Sequence, residues 1–369
     1  MKNKNFEVYF DCGTSKVRAG AFSKDNPKEV FYEETDFFID HSNINSDIQK
    51  IISSLEKSTK EYLDDVNLMV DSSEMLSVGI SISKKIDGSK LKKEEIQFLI
   101  QDAKQQILKN YPNQYIAHII IKNYTIDNVE YEFLPPNINC NFISLNIFFI
   151  CISKKIIEYF KKIFFELGVS VNQIFCSSYS KSLNYKNQFL IIENISFIDI
   201  GLNKTSITCY RKNEIIFFDV LPIGSHNITK DISKILNLSL LESEKLKISF
   251  DSSQNFISKK NISQDLIQQI IFARIEEILE LSIKTIKSNL MTFIKYKMIL
   301  MGEGSKILAN RFKEKIFLLN DVDLLEETLE DICQSALKQN EGPNSQEVVI
   351  IPKKQIKQGF FEKLFHFFN

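Results

Sequence analysis

Hydrophobic and polar residues follow two different periods along the chain, and the changes between them predict a mixed α/β fold. Runs rich in Ile, Val, Phe and Tyr predict strands at 6–10, 16–22, 30–38, 66–73, 76–83, 115–126, 129–135, 142–153, 169–178 and 194–221 (a pair joined by a turn). Apolar residues at helical spacing predict helices at 46–64, 93–110, 154–168, 226–247 and 262–290. Gly168 is expected to cap the helix before it, because glycine readily adopts a left-handed backbone.

The opening stretch of the chain returns near its middle. "VYFDCGTSKVRAGAF" (8–22) and "SFIDIGLNKTSITCY" (196–210) both run from a strand through an acid, a glycine and a hydroxyl into a second strand. Asp11 and Gly13 align with Asp199 and Gly201. A repeat of this size predicts two similar lobes, each presenting an Asp-x-Gly hairpin to a shared cleft.

Such a hairpin offers backbone N–H groups and hydroxyls to phosphate oxygens, and its glycine allows close approach. The acid at the strand end is suited to hold a divalent ion through water. One hairpin alone is a weak signal and is more often an ordinary turn. Two in register, followed by the strand–glycine–helix pattern of "LMGEGSK" (300–306), favour a nucleotide.

Composition limits the alternatives. The formal net charge of −1 gives no basic field to attract nucleic acid, so no such partner is expected. The six cysteines form no CxxC pair and lie far from the four histidines, which argues against a metal site and fits a reducing cytoplasm. The N-terminus enters a strand at once, so no signal peptide is expected. Residues 140–153 are too short and too polar to span a bilayer.

These motifs resemble the superfamily of actin, sugar kinases and heat-shock chaperone ATPases, with "DCGTSK" (11–16), "DIG" (199–201) and "MILMGEGS" (298–305) as its first phosphate, second phosphate and adenosine loops. Within it, the chain most resembles FtsA, the actin-like bacterial cell-division family. "LPIGSHNITKDIS" (221–233) with "LLESEKLK" (240–247), an α+β insertion after the first hairpin and an amphipathic C-terminus carry this closer resemblance.

The resemblance implies two actin-like (ribonuclease H-like) α/β lobes around a nucleotide cleft. The implied bounds are 1–65 and 143–194 for the first lobe, 66–142 for the inserted subdomain, 195–225 and 291–337 for the second lobe, 226–290 for its small subdomain, 338–358 for a linker and 359–369 for an amphipathic helix.

It also implies ATP and Mg²⁺ as ligands, with at most a weak ATPase activity and no catalytic residue assigned. Asp11 and Asp199 would organise the magnesium. The implied nucleotide-binding set is Asp11, Gly13, Thr14, Ser15, Lys16, Asp199, Gly201, Thr205, Glu244, Lys247, Gly302, Gly304 and Ser305. Without the resemblance, the residues alone predict that Glu244 and Lys247 form an i, i+3 ion pair on a solvent-exposed helix face.

Two loops depart from the family pattern. Leu202, Asn203 and Lys204 stand where the second phosphate loop is usually glycine-rich, and Glu303 follows Gly302 where a second glycine is usual. Lys204 either adds a cation to the phosphates or points to solvent. A relative that keeps a scaffold role without binding ATP therefore stays open.

The C-terminus is expected to bind a membrane. On a helical wheel, the apolar side chains of this segment occupy an arc of about 160°, and polar side chains occupy the rest of the circle. The apolar arc comprises Phe360, Phe361, Leu364, Phe365, Phe367 and Phe368. Such an arc suits the headgroup boundary, and nearby lysines favour an anionic leaflet. The alternative is a helix docked on the protein's own surface.

The resemblance implies a peripheral protein on the cytoplasmic face of the plasma membrane at the division site. It would form filaments and anchor FtsZ, through the C-terminal peptide of FtsZ, together with other division proteins. The rivals are a soluble small-molecule kinase of the same superfamily, which needs a catalytic base, and a PilM-like binding module. Neither has a use for the terminal helix.

Overall fold

The computed structural model describes residues 5–35, 44–248, 263–290, 296–308, 322–341 and 347–348. Its strands are β1 Phe6–Cys12, β2 Val17–Ser23, β3 Val30–Glu34, β4 Asp65–Val70, β5 Leu76–Lys85, β6 Gln114–Ile126, β7 Val129–Tyr131, β8 Phe142–Ser153, β9 Ser170–Cys176, β10 Asn194–Ile200, β11 Thr205–Arg211, β12 Glu214–Leu221, β13 Lys297–Met301 and β14 Val322–Leu324. Its helices are α1 Ile44–Thr59, α2 Lys93–Asn110, α3 Lys154–Glu166, α4 Ser177–Lys186, α5 Ser225–Leu236, α6 Leu240–Ile248, α7 Gln264–Leu290 and α8 Leu329–Glu341.

Two five-stranded sheets repeat one topology. The first sheet has the order β3-β2-β1-β4-β9 and the second has the order β12-β11-β10-β13-β14. In each, a three-stranded antiparallel meander continues into two parallel strands. The predicted internal repeat is therefore confirmed, and it extends from the hairpins to the whole sheet.

The two repeated hairpins close with the same turn. Gly13 N–H donates to Lys16 O at 3.0 Å, and Gly201 N–H donates to Lys204 O at 2.9 Å. Asp11 pairs with Arg18 across the first hairpin, while Asp199 pairs with Ser206 across the second. The two turns thus match in backbone and differ in the side chain opposite the acid.

A third sheet, of order β5-β8-β6-β7, lies in the chain between β4 and α3, with α2 packed on it. Its own apolar core includes Leu99, Ile119 and Phe149. Ser77 Oγ donates to Phe218 O of the second sheet at 2.7 Å, so the third sheet contacts both halves of the molecule.

Both faces of the first sheet are buried. Phe10 meets Phe164 of α3 edge-on, with ring centroids 5.0 Å apart. The opposite face carries Tyr9 and Phe175, which pack against α8 through Cys333 and Ala336. A strand covered on both faces has a continuous apolar run, as residues 8–10 do.

α8 comes late in the sequence, yet it covers one face of the first sheet. The predicted linker began at 338, whereas α8 continues to Glu341 and buries Gln339. Beyond it, Val348 N–H donates to Ile119 O at 2.8 Å, so this segment pairs with the edge of β6. β4 (Asp65–Val70) lies in the first sheet and β8 (Phe142–Ser153) lies in the third, so the predicted bounds of the inserted subdomain, 66–142, are wrong. The remaining domain bounds stay predictions. The membrane-binding residues 360, 361, 364, 365, 367 and 368 lie outside the described residues.

His118 fixes this C-terminal segment. Its Nε2 accepts from Cys176 N–H at 2.8 Å, so the ring proton lies on Nδ1 and donates to Glu347 Oε1 at 2.5 Å. Gln339 Nε2 donates to the other oxygen of Glu347 at 2.6 Å. Both ring nitrogens of the buried His118 therefore have a hydrogen-bond partner.

We expect Glu347→Ala to lower the free energy of unfolding by about 1–3 kcal/mol, because it leaves the buried Nδ1–H of His118 without this acceptor. Urea denaturation monitored by circular dichroism measures the loss. Lys338→Ala, an exposed change on α8, is the matched control. Equal losses in the two variants would contradict the role given to the Glu347–His118 contact.

The periodicity located most elements but missed several, among them β14 and α8. The helix predicted at 226–247 is two helices, because Asn237 adopts φ +52° and ends α5. α4 was not predicted at all. The capping role of Gly168 is confirmed by its φ of +78°. Among the described residues, no helix is long and apolar enough to cross a membrane.

Candidate functional site

A cleft lies where the carboxyl ends of the parallel strands of the two sheets meet. Its cavity measures about 60 Å³. The residues lining it come from both hairpin turns, the end of β4, α4 and the turn after β13: Asp11, Cys12, Gly13, Thr14, Ser15, Arg18, Asp71, Ser177, Lys181, Asp199, Gly201, Leu202, Lys204, Ser206 and Glu303. Ligand sites of α/β proteins favour this edge of a sheet.

Asp11 is buried and fully engaged. Ser177 Oγ donates to its Oδ1 at 2.6 Å, and Arg18 Nη1 donates to its Oδ2 at 3.2 Å. The second arm of Arg18 crosses the cleft, where Nη2 donates to Glu303 Oε1 at 2.6 Å. Burial alone would lower the pKa of Arg18, but the carboxylates around it, Asp11 first, outweigh burial and raise that pKa. The guanidinium is a permanent cation between the two lobes.

Asp199 has its own cation. Lys181 Nζ on α4 lies 2.6 Å from Asp199 Oδ2 and 3.2 Å from Glu327 Oε1. Burial would lower the pKa of Lys181, yet Asp199, Glu327 and Asp11 together raise it well above its usual value. Burial raises the pKa of the Glu327 carboxyl. Lys181 therefore stays charged and is held by two acids of the second lobe.

A third ion pair joins the turns. Lys204 Nζ lies 3.8 Å from Asp71 Oδ2, which follows β4. Asp71 also accepts from Ser178 N–H at 3.2 Å. Of the two options for Lys204, the structure shows the cleft-facing one, with the cation paired to a carboxylate of the opposite lobe.

The glycine turn after β13 packs directly on the second hairpin. Gly302 has φ +93°, and a Cβ there would lie 2.2 Å from Asp199 Oδ1. A Cβ on Gly304 would lie 2.7 Å from Ile200 O. Ser305 Oγ donates to Gly302 O at 2.8 Å. The glycines thus allow close approach to the protein's own strand β10.

Glu244 and Lys247 form a buried cluster next to the second turn, since Ser225, which binds Lys247, also donates its N–H to Gly201 O at 2.9 Å. Lys247 Nζ lies 2.8 Å from Glu244 Oε1 and donates to Thr229 Oγ1 at 3.0 Å and to Ser225 O at 3.2 Å. Thr229 Oγ1 donates to Glu244 Oε2. Burial lowers the pKa of Lys247 despite its acidic partner. The solvated ion pair expected from the residues alone is wrong, since both side chains are buried.

The structure gathers part of the predicted site. Asp11, Gly13, Thr14, Ser15, Asp199 and Gly201 line the cavity. Lys16 instead bonds Glu34 Oε2 at 3.2 Å, and Thr205 Oγ1 donates to Ile223 O at 2.8 Å. Glu244, Lys247, Gly302, Gly304 and Ser305 are not among the lining residues. Their roles toward a nucleotide stay predictions.

Sequence reasoning missed the cations. Lys181 and Ser177 lie in "CSSYSKSLNY" (176–185), whose polar composition hides a buried helix. Arg18 lies within the first hairpin, where its position opposite Asp11 in an antiparallel pair was the available signal. Cys12 also reaches the cavity, where burial raises the pKa of its thiol and so disfavours the reactive thiolate.

These side chains do not fit a magnesium ion. Mg²⁺ needs near-octahedral oxygen ligands and retains several waters. Here the oxygens of Asp11 and Asp199 already face Arg18, Ser177 and Lys181. Within the ranges that the structure covers, no three His, Cys, Asp or Glu side chains are placed to share a metal. Cofactor pockets usually measure about 300–1,000 Å³, far above the cavity found here.

Comparison with known proteins shows similarity to FtsA. The family model "Cell division protein FtsA" matches residues 196–340, which hold the second sheet and most of α8. FtsA of Buchnera aphidicola subsp. Acyrthosiphon pisum is 23% identical, over 100% of this chain and 97% of its own length. The chain is thus similar to FtsA cell-division proteins over its whole length.

Other FtsA relatives align over less of their length. FtsA of Helicobacter pylori strain 26695 is 27% identical over 37% of this chain, a match that spans only 28% of that relative. FtsA of Bacillus subtilis is 31% identical over 29% of this chain and 28% of its own length.

Solved structures agree on the fold. The PilM-PilN type IV pilus biogenesis complex contains a chain with a TM-score of 0.59 and 11% identity, covering 87% of this chain and 88% of its own. The ethanolamine utilization protein EutJ from Carboxydothermus hydrogenoformans has a TM-score of 0.52 and 11% identity, covering 90% and 89%. The chain thus has the actin-like fold that the sequence predicted.

Proposed function

We propose that this protein acts in cell division as an actin-fold scaffold that attaches FtsZ filaments to the cytoplasmic face of the plasma membrane. The observation that carries the proposal is the alignment with an FtsA over the whole chain. The third sheet, inserted between β4 and α3, supports it, because the sequence resemblance places an FtsA-type subdomain there.

The membrane contact is assigned to residues 359–369. Fully burying one large apolar side chain contributes about 1.5–3 kcal/mol, and interfacial burial contributes only part of that. Lys353, Lys354, Lys357 and Lys363 each add roughly 1 kcal/mol near an anionic surface. One tail binds modestly, so self-association into filaments would raise the affinity through many tails.

The partner contact is assigned to the part of the chain around 226–290. α5 and α6 expose the apolar side chains Ile235, Leu240, Leu241 and Ile248. Exposed apolar residues grouped on neighbouring helices are typical of protein–protein contacts. These residues support a role in binding a peptide such as the FtsZ C-terminus.

The cleft gives no support to a small-molecule kinase. Phosphoryl transfer to a hydroxyl needs a base within hydrogen-bond reach. Each carboxylate that lines the described cavity is paired with a cation: Asp11 and Glu303 with Arg18, Asp71 with Lys204, and Asp199 with Lys181. Each of these carboxylates already faces a cation of the protein, so none is free to contact a substrate hydroxyl.

Sedimentation with anionic liposomes tests the membrane role. We expect the full-length protein to sediment with phosphatidylglycerol-rich vesicles, and a chain truncated after Gln358 to lose most of this binding. Phe361→Ser with Phe365→Ser should match the truncation, while His366→Ser, on the polar arc, is the matched control. Full sedimentation of the truncated chain, or none of the intact one, would overturn the anchor. FtsZ added to the same vesicles then tests recruitment.

A further inference from the structure

The cleft of this protein carries its own positive charge. We infer that Arg18 and Lys181 replace the magnesium–nucleotide complex of an actin-type cleft, so that ion pairs within the protein hold the two lobes together without ATP or ADP. This inference concerns the chemistry of the cleft and stands independently of the role in division.

The first support is where Arg18 lies. It is buried at the start of β2, opposite Asp11, and joins Asp11 on its own lobe, at 3.2 Å, to Glu303 of the second lobe, at 2.6 Å. Glu303 occupies the turn expected to receive adenosine. A cation between two acids from opposite lobes draws those lobes together, as a bound ion would.

The second support is Lys181. It reaches from α4 of the first lobe to Asp199 and Glu327 of the second. Asp199 is the acid expected to organise magnesium, and an ammonium 2.6 Å away already neutralises it. A divalent ion beside Lys181 would face charge repulsion as well as the loss of this bond.

The third support is the second turn itself. Leu202 stands where a glycine-rich phosphate loop is expected, and its side chain is buried. Lys204 pairs with Asp71 of the first lobe. Arg18, Lys181 and Lys204 are thus three cations that already pair with acids at the cleft. A nucleotide's phosphates could bind these cations only by breaking the existing ion pairs.

Nucleotide binding to the full-length protein tests the inference directly. Isothermal titration with Mg-ATP and with Mg-ADP, to millimolar concentration, should give no saturable heat. The melting temperature should not move with either ligand, since only a ligand that binds the native state raises it. Saturable binding of either nucleotide, together with a concentration-dependent rise in melting temperature, would overturn the inference.

Hydrogen exchange tests whether the ion pairs hold the cleft closed. Lys181→Met should speed exchange more in peptides that cover both turns, 13–16 and 201–204, than in peptides from the third sheet. Lys306→Gln, which removes the exposed partner of Glu303, is the matched control. If Lys181→Met does not fold, Glu303→Gln removes the pair with Arg18 more mildly and should show the same pattern. Exchange at both turns as slow as in the unmodified protein would contradict the closure by ion pairs.

Discussion

Lys181→Met is expected to lower the free energy of unfolding by about 3–5 kcal/mol, because removing one partner of a buried ion pair leaves the other charges uncompensated. Asp199 and Glu327 would both lose their cation, and Glu327 is held in place by Gly302 N–H, which donates to its Oε2 at 2.7 Å. Methionine has a similar length, so the loss reports charge more than volume.

Equilibrium denaturation in urea, monitored by far-ultraviolet circular dichroism, measures this change. Lys306→Gln serves as the control, since its pair with Glu303 is exposed and such pairs contribute about 0–1 kcal/mol. Adding Asp199→Asn and Glu327→Gln to Lys181→Met should recover part of the stability, because it removes the orphaned charges. A loss no larger than that of the control would show that Lys181 is not an essential counter-ion.

Gly302→Ala is expected to lower the free energy of unfolding by roughly 2–5 kcal/mol. Part of the loss is backbone strain, because a left-handed conformation costs a residue with a Cβ about 1–2 kcal/mol. The remainder is steric, since the new Cβ would lie 2.2 Å from Asp199 Oδ1 and 2.6 Å from Ile200 O. Either the turn or the end of β10 must shift, and the bond between Lys181 and Asp199 shifts with it.

Two other glycines separate strain from steric overlap. Gly168 also has a positive φ, but a Cβ there meets nothing within 4 Å, so Gly168→Ala should cost about 1–2 kcal/mol. Gly79 has neither constraint, and Gly79→Ala in β5 should be neutral or stabilise by up to about 1 kcal/mol. The same urea series measures all three. If Gly302→Ala cost no more than Gly168→Ala, the close packing of the turn on β10 would be contradicted.

The repeat could be predicted from the sequence because its defining residues are close together in the chain. "VYFDCG" and "SFIDIG" each give a strand, an acid and a glycine in fixed order, and this order was enough to predict two like lobes. Helices with one apolar face, such as α2, were located to the residue for the same reason.

The cations of the cleft were not accessible, because their partners are far apart in the chain. Lys181 meets Glu327, and Arg18 meets Glu303, only after both lobes have formed. α4 escaped prediction because serines, not apolar residues, fill its buried positions. Ser178, Ser180 and Ser182 are small enough to pack closely, and Ser180 Oγ donates to Gln339 Oε1 of α8 at 2.6 Å.

Because α8 lies near the C-terminal end of the sequence, it is synthesised long after the strands that it covers. Tyr9 and Phe22 leave the ribosome first, yet their apolar cover, Cys333 and Ala336, is translated near the end of the chain. At roughly 5–20 residues per second, the ribosome needs tens of seconds or less to make the intervening segment. During that interval the nascent first lobe carries an uncovered aromatic face, which is a surface that chaperones bind and that promotes aggregation.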